Sequence, residues 1–294
     1  FGQSKMQARP IPGLLHFVVY AGFLLINIEV AEILIDGILG THRILAEPLG
    51  NLYTGAINFF EVLAVLVILA CVAFLIRRNV MKIDRFHKPE MKGWPFKDAN
   101  LILIIEIVLM MALLKMNAVE ANFENPVAGP FAVSQFLAPF FAGYSQDALH
   151  VFERVFWWFH ILGILFFLNY LPFSKHFHII LAFPNTWYSK LEPKGQFENL
   201  EAVTNEVKMM MDPSADPYAS PPADAPAPER FGAKDVQDLN WVNLMNAYSC
   251  TECGRCTSEC PSNLTGKKLS PRKVMMDTRD RLEEVGAIID ANNG

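Results

Sequence analysis

The sequence predicts an all-α bundle of at least four membrane-spanning helices, followed by a small, mainly α-helical domain organised around cysteines. Three observations carry this. Of the 294 residues, 52% are hydrophobic and only 19% are charged, against roughly 25% charged in soluble domains. Four apolar runs each approach the roughly 20 helical residues that cross a bilayer core of about 30 Å. Four of the five cysteines crowd into the stretch from Cys250 to Cys260.

Charge divides the chain in two. Residues 1–184 hold 13 basic and 13 acidic side chains, so the formal charge of −5 belongs to residues 185–294. Neither part has the basic excess of a nucleic-acid binder, and the apolar content of the first part excludes disorder. The polar run Gln3, Lys5, Gln7 and Arg9 lacks the cleavage pattern of a signal peptide. The expectation is that another helix precedes Phe1 and that the chain continues beyond Gly294.

The spans are expected at Pro12–Ile38, Gly55–Ile76, Ala99–Ala118 and Phe152–Leu171, with Pro172 breaking the last. A soluble bundle would show a charged face on each helix, whereas Val62 to Ile76 has no charge. Between the second and third spans lie Arg77, Arg78, Lys82, Arg85, Lys88, Lys92 and Lys97, against Asp84, Glu90 and Asp98. The loop from Val119 to Gln146 has Glu120 and Glu124 and no basic residue. The positive-inside rule places the basic loop, and with it everything after Pro172, in the cytoplasm of a bacterial inner membrane.

Four segments follow: a transmembrane domain over residues 1–184, an interfacial and helical connector over 185–211, a Pro/Ala-rich linker over 212–230, and a cysteine domain over 231–294. The linker carries Pro213, Pro217, Pro221, Pro222, Pro226 and Pro228, a composition that favours extended structure over a core.

Cys250, Cys253, Cys256 and Cys260, followed by Pro261, form the run C-x2-C-x2-C-x3-C-P that binds [4Fe–4S] clusters. Two-residue gaps wrap three thiolates around one cube, and Gly254 eases the close approach of the backbone. Zinc prefers two separated cysteine pairs, and a reducing cytoplasm disfavours disulfides. In two-cluster ferredoxins the fourth cysteine serves the other cluster, so Cys260 is expected to serve a second cluster beyond Gly294. Cys71, alone in the second span, reads as a small buried apolar residue.

Histidines at membrane depth are functional candidates, and two helices offering one each can clamp a b haem. His16 opens the first span and His160 lies within the fourth, while His176 and His178 follow Pro172. Antiparallel first and fourth spans put His16 level with His178, the expected first haem pair. His160 is expected near the opposite face, by Gly37 and Gly40, with His42 as its partner. His150 is the competitor, about 15 Å along the helix from His160. Glu29, Glu32 and Asp36 share one helix face. With Glu61 and Glu106 they read as a proton relay, as partners for haem propionates, or as an inward polar seam. Phe156, Trp157, Trp158 and Phe159 read as packing for haem or quinone, or as lipid contacts.

These residues bring a family resemblance. His16 followed by five residues and Gly22-Phe23 resembles the second helix of cytochrome b subunits related to the nitrate reductase gamma subunit and heterodisulfide reductase. His160 through Leu171-Pro172-Phe173-Ser174-Lys175 to His178 is similar to their last helix. Fused to the cysteine run, nearly the whole chain resembles membrane-bound iron–sulfur oxidoreductases of the heterodisulfide-reductase type. One departure stands out: the pattern's other first-helix ligand falls on Ile26. The resemblance implies a quinone-linked oxidoreductase. Electrons from a cytoplasmic donor such as electron-transfer flavoprotein would reach menaquinone through the clusters and one or two b haems. A haem-free membrane-anchored ferredoxin subunit of a larger complex and an ion-translocating subunit using Glu29, Glu32 and Glu106 stay open beside it.

Overall fold

The computed structural model describes residues 6, 8–193, 196, 199–214 and 232–293. Residues 215–230 of the expected linker lie outside the described residues. The chain divides into two compact units, residues 1–177 and 178–294.

The first unit is built on four helices, α1 (Pro10–Leu39), α2 (Asn51–Asn79), α3 (Trp94–Glu120) and α4 (Gln146–Tyr170). α1, α2 and α3 contain the expected runs and overrun them by one to five residues at each end, while α4 starts six residues before its expected run and stops at Tyr170, one residue short of its end. All four are long and apolar enough to cross a membrane. Their ends follow local chemistry. Pro10 and Pro95 sit in the first turns of α1 and α3, where a missing N–H is harmless. Gly40, in the left-handed conformation (φ 70°), closes α1. Ser145 caps α4 by accepting from the Ala148 N–H at 3.3 Å. Pro172 ends α4 in a 3-10 turn, Leu171–Phe173.

The helices pack as a row, with α1 on α2, α2 on α3 and α3 on α4, while α1 and α4 barely touch. Ala64, Cys71 and Leu113 are among the fully buried core residues. Ile28, Phe59, Leu69, Phe159 and Phe166 point outward and are more than half exposed. A soluble protein avoids so large an apolar surface; a bilayer requires it.

Two charges counted with the basic loop belong to the bundle instead. Arg78 is buried, its guanidinium lying over the rings of Phe86 and Phe96. Asp98 is also buried and accepts from the Tyr170 hydroxyl, from Ser174 Oγ at 2.7 Å and from the Lys175 N–H at 3.1 Å. Through these bonds α3 fixes the turn that leads to His176. Asp98→Ala strands three donors, and a buried unsatisfied donor costs about 1–3 kcal/mol. Thermal unfolding of the purified variant is expected to show that loss, and an unchanged midpoint would refute the anchoring role.

The second unit has four further helices of eight residues or more among the described residues: α5 (His178–Trp187), α6 (Glu201–Met211), α7 (Trp241–Tyr248) and α8 (Pro271–Ala291). No strand occurs among the described residues. Side chains pin the helix starts: Asn240 Oδ1 accepts from the Asn243 N–H at 2.8 Å, and Ser270 caps α8 with Pro271 at its first position. α8 is tied back by Arg281, whose Nη2 lies 2.7 Å from Asp235 Oδ2. Tyr188 and Trp241 meet edge to face, with ring centroids 4.7 Å apart.

Candidate redox sites

The cysteine loop begins where α7 ends. Cys250 donates its N–H to the Ala247 carbonyl, and the chain then turns through two left-handed residues, Glu252 (φ 55°) and Gly254 (φ 73°). Glycine adopts this conformation freely and glutamate does not, so Glu252 needs support. The support comes from α8. Glu252 is buried against Arg279 at 3.2 Å, and Arg272 Nη1 reaches its carbonyl at 3.5 Å. The Arg272 N–H also donates to Thr257 Oγ1 at 3.2 Å. Cys256 then lies on a single helical turn, Arg255–Ser258, and Cys260 caps the next, Pro261–Leu264.

Cys256 is exposed and the other three thiols are half-buried. Burial pushes the Cys250 thiol up. For Cys253 burial is outweighed by the Arg255 N–H and guanidinium and by Thr251, which hold it below the usual thiol value. Among the described residues no three His, Cys, Asp or Glu side chains converge on a point that would hold a single metal ion. A cubane cluster makes no such demand, because each thiolate binds a different iron. The donor set of four cysteines in this spacing fits it. Arg272 and Arg279 escaped sequence reasoning, although their seven-residue spacing on one helix face was the available signal.

In the bundle, His160 is the most deeply placed histidine, 1% exposed. Its Nδ1 lies 3.0 Å from the Leu109 carbonyl. A carbonyl only accepts, so Nδ1 carries the proton and Nε2 keeps a lone pair. Nε2 is buried with no hydrogen-bond partner among the described residues. A cavity of about 200 Å³ adjoins it, lined by Gly22, Ile26 and Val30 of α1, Val67 of α2, Glu106 of α3 and Leu168 of α4, among others. Gly37 faces the ring of Trp157, one turn from His160 along α4. Ile26, where the family pattern has a ligand, lines the same cavity.

The structure does not bring His42 to His160. Arg154 Nη2 lies 3.3 Å from His42 Nδ1, and Glu120 Oε1 lies 3.7 Å from its Nε2. Arg154 is six residues, about 9 Å along the helix, from His160. His150 meets Phe123 at a tilt, with centroids 4.4 Å apart, and His176 meets Phe167 at 5.3 Å. His16 is half-buried on α1, and His178 opens α5 in the second unit. The spans' aromatic run divides: Trp157 is buried, while Trp158 and Phe159 face outward.

The acidic face of α1 proves to be one side of a buried ionic network centred on Arg43, which sequence reasoning missed. Asp36 accepts from Thr41 Oγ1 at 2.6 Å, the Arg43 N–H at 2.7 Å and the Ile44 N–H at 3.1 Å. These bonds fold the connection after Gly40 back over the bundle and hold Arg43 at φ 53°. Its guanidinium then enters the bundle and donates to Glu120 at 2.7 Å, Asn117 at 2.7 Å and Tyr53 at 3.0 Å. Glu29 lies 3.7 Å away. Desolvation opposes the charge on Arg43, but Glu120 and its other partners more than restore it. Glu120, counted from sequence as a loop charge, is the fully buried last residue of α3.

Comparison with known proteins bears on the cysteine domain first. Residues 213–279 match a 4Fe-4S dicluster domain family. The chain is similar to iron–sulfur oxidoreductases. It is 29% identical over its whole length to the probable iron-sulfur-binding oxidoreductase FadF of Bacillus subtilis, covering 37% of that protein. It is 27% identical over 287 residues to the EtfAB:quinone oxidoreductase of Syntrophomonas wolfei, covering 94% of this chain and 35% of that one. A shorter stretch, 54 residues, is 37% identical to a probable membrane-anchored ferredoxin of Chromohalobacter salexigens, 18% of this chain and 8% of that one. The chain thus spans little more than a third of the first two relatives. No solved structure matches it. Two cubane clusters need eight thiolates, and the matched residues contain four cysteines.

Proposed function

We propose that the protein is a membrane-bound electron-transfer oxidoreductase linking a cytoplasmic donor, such as an electron-transfer flavoprotein, to menaquinone. The observation that carries this reading is the union, in one chain, of a C-x2-C-x2-C-x3-C-P loop with four apolar spans. Similarity to a protein named EtfAB:quinone oxidoreductase supports the donor and acceptor classes. The basic loop supports a cytoplasmic placement of the cysteine domain in a bacterial inner membrane.

Cys250, Cys253 and Cys256 are assigned to one [4Fe–4S] cluster and Cys260 to a second. The bundle is assigned b haem, which supplies one-electron transfer within the bilayer when bound. His160 fits such a ligand: its Nδ1–H is fixed by a backbone carbonyl, the outer partner that orients metal-binding imidazoles, and its Nε2 is buried and unpartnered. His16 and His178 are assigned as the other pair on the strength of the family spacing. His42 is not assigned, since Arg154 and Glu120 flank both its ring nitrogens.

A reduced-minus-oxidised visible spectrum of the full-length protein tests the haem assignment. Bands of b-type haem are expected, and each of His178→Ala and His16→Ala is expected to lose one haem. A full haem complement in His178→Ala would overturn the pairing. The local similarity to a membrane-anchored ferredoxin favours a second, haem-free reading, which a spectrum showing iron–sulfur bleaching alone would establish.

A further inference from the structure

We propose that Glu29 is a proton-exchange site: a buried carboxyl that holds a proton in the resting protein and releases it against Arg43. Three neighbouring carboxyls define it by contrast. Glu32 Oε1 accepts from the Leu45 N–H at 3.0 Å and Oε2 from the Tyr53 hydroxyl at 2.8 Å. Glu61 Oε1 accepts from Asn117 Nδ2 at 3.1 Å, and Oε2 from the N–H groups of Val133 and Ser134 at 2.7 and 3.2 Å. Glu120 Oε1 accepts from the Ala128 N–H at 3.2 Å, and Oε2 from Arg43 Nε at 2.7 Å. All six oxygens take donors, the pattern of ionised carboxylates. Glu29 is 2% exposed, and neither of its oxygens has a hydrogen-bond partner among the described residues.

Charge balance points the same way. One guanidinium already stands among the buried carboxyls of Glu32, Asp36, Glu61 and Glu120 and bonds directly to Glu120, and a further buried anion without a single donor is the expensive state. A carboxylic acid at Glu29 avoids it. The groups around it are Glu32 and Asp36 on α1, Arg43 and His42 in the following connection, Tyr53 and Glu61 on α2, and Asn117 and Glu120 on α3. Glu153 and Arg154 on α4 pair with each other. Arg43 Nη1 stands 3.7 Å from Glu29 Oε1, close enough to take up a new carboxylate with a small shift. The cluster reaches the surface at His42, whose side chain is 35% exposed beside Glu120. This is the end of the bundle opposite the basic loop.

The purpose of the proton rests on the proposed quinone chemistry. Reduction of a quinone takes up two electrons, supplied by the cytoplasmic donor through the proposed iron–sulfur clusters, and two protons, one from Glu29 and the other from the aqueous phase. One proton leaves Glu29, its O–H bond breaking as an O–H bond forms on the quinone. The Glu29 carboxylate pairs with Arg43 until a proton from the aqueous phase replaces the one lost. Ile26 and Val30, on either side of Glu29 along α1, line the apolar cavity.

Infrared spectroscopy of the full-length protein at neutral pH tests the proton itself. The wild-type minus Glu29→Gln difference is expected to show one protonated-carboxyl C=O band that shifts in D2O. Glu29→Asp should keep such a band, displaced, and Glu32→Gln should leave it untouched. Glu29→Gln has the shape of the neutral acid, so its thermal unfolding should match the wild type. No band in the difference, or loss of the band in Glu32→Gln, would overturn the proposal. Quinone-linked turnover is a separate arm: a rate in Glu29→Gln lowered roughly 100-fold, as for loss of a proton-transfer group, supports the assigned purpose. An unchanged rate with the band lost would overturn that purpose alone. Wild-type protein that reduces no quinone at all would overturn the oxidoreductase reading and leave the infrared result standing on its own.

Discussion

Cys253→Ala is expected to abolish the iron–sulfur signal of the loop and, with it, the proposed electron delivery to quinone. Cys253 sits within the run between two left-handed residues, Glu252 and Gly254, the first of them held by α8. Cys71 is fully buried in the core of the first unit. The cluster needs four thiolates, so the expected loss is roughly four irons per chain, read by iron analysis after subtraction of haem iron. The iron content of the native full-length protein separates the two ways of wiring Cys260. If Cys260 serves a second cluster, as the match to a dicluster family favours, the native full-length protein holds about eight or more non-haem irons. About four would show that Cys260 closes a single-cluster site.

Arg43→Ala is the substitution with the largest expected effect on stability. The guanidinium makes three hydrogen bonds of 3.0 Å or less to buried partners, and its removal strands Glu120, Asn117 and Tyr53 together. Breaking a buried ion pair by deleting one partner costs about 3–5 kcal/mol, a large share of the roughly 5–15 kcal/mol by which domains are stable. The variant is expected to lose its cooperative thermal transition or to recover poorly from membranes. Glu47→Ala, at an exposed carboxylate one turn further on, is expected to behave as wild type. An Arg43→Ala protein as stable as wild type would mean that the network is not the anchor of this end of the bundle.

The bundle was legible because bilayer crossing writes itself into composition: twenty apolar residues have few other uses. Gly40 and Pro172 marked helix ends for local reasons that need no tertiary context. The cysteine run was equally plain, since thiolate spacing is fixed by the cluster rather than by the fold. Arg43 was not legible. It stands three residues beyond a helix-ending glycine, where a charged residue normally faces water, and only the Asp36 carboxylate turns it inward. Glu120 failed for the same reason, as α3 runs two residues further than the expected span and buries it. His42 looked available as a ligand because its neighbours Arg154 and Glu120 come from helices remote in sequence. Ile26 shows the opposite case. Its position follows from the family spacing and it lines the same cavity as His160, but the side chain has nothing with which to bind iron.

Anaerobic low-temperature electron paramagnetic resonance tests the central claim most directly. The full-length protein in membranes, with its clusters reduced, is mixed with a menaquinone analogue. Loss of the reduced-cluster signal in the wild type, and its persistence in His160→Ala with intact clusters, is the result the account predicts. A cluster signal that survives an excess of quinone in the wild type would contradict it.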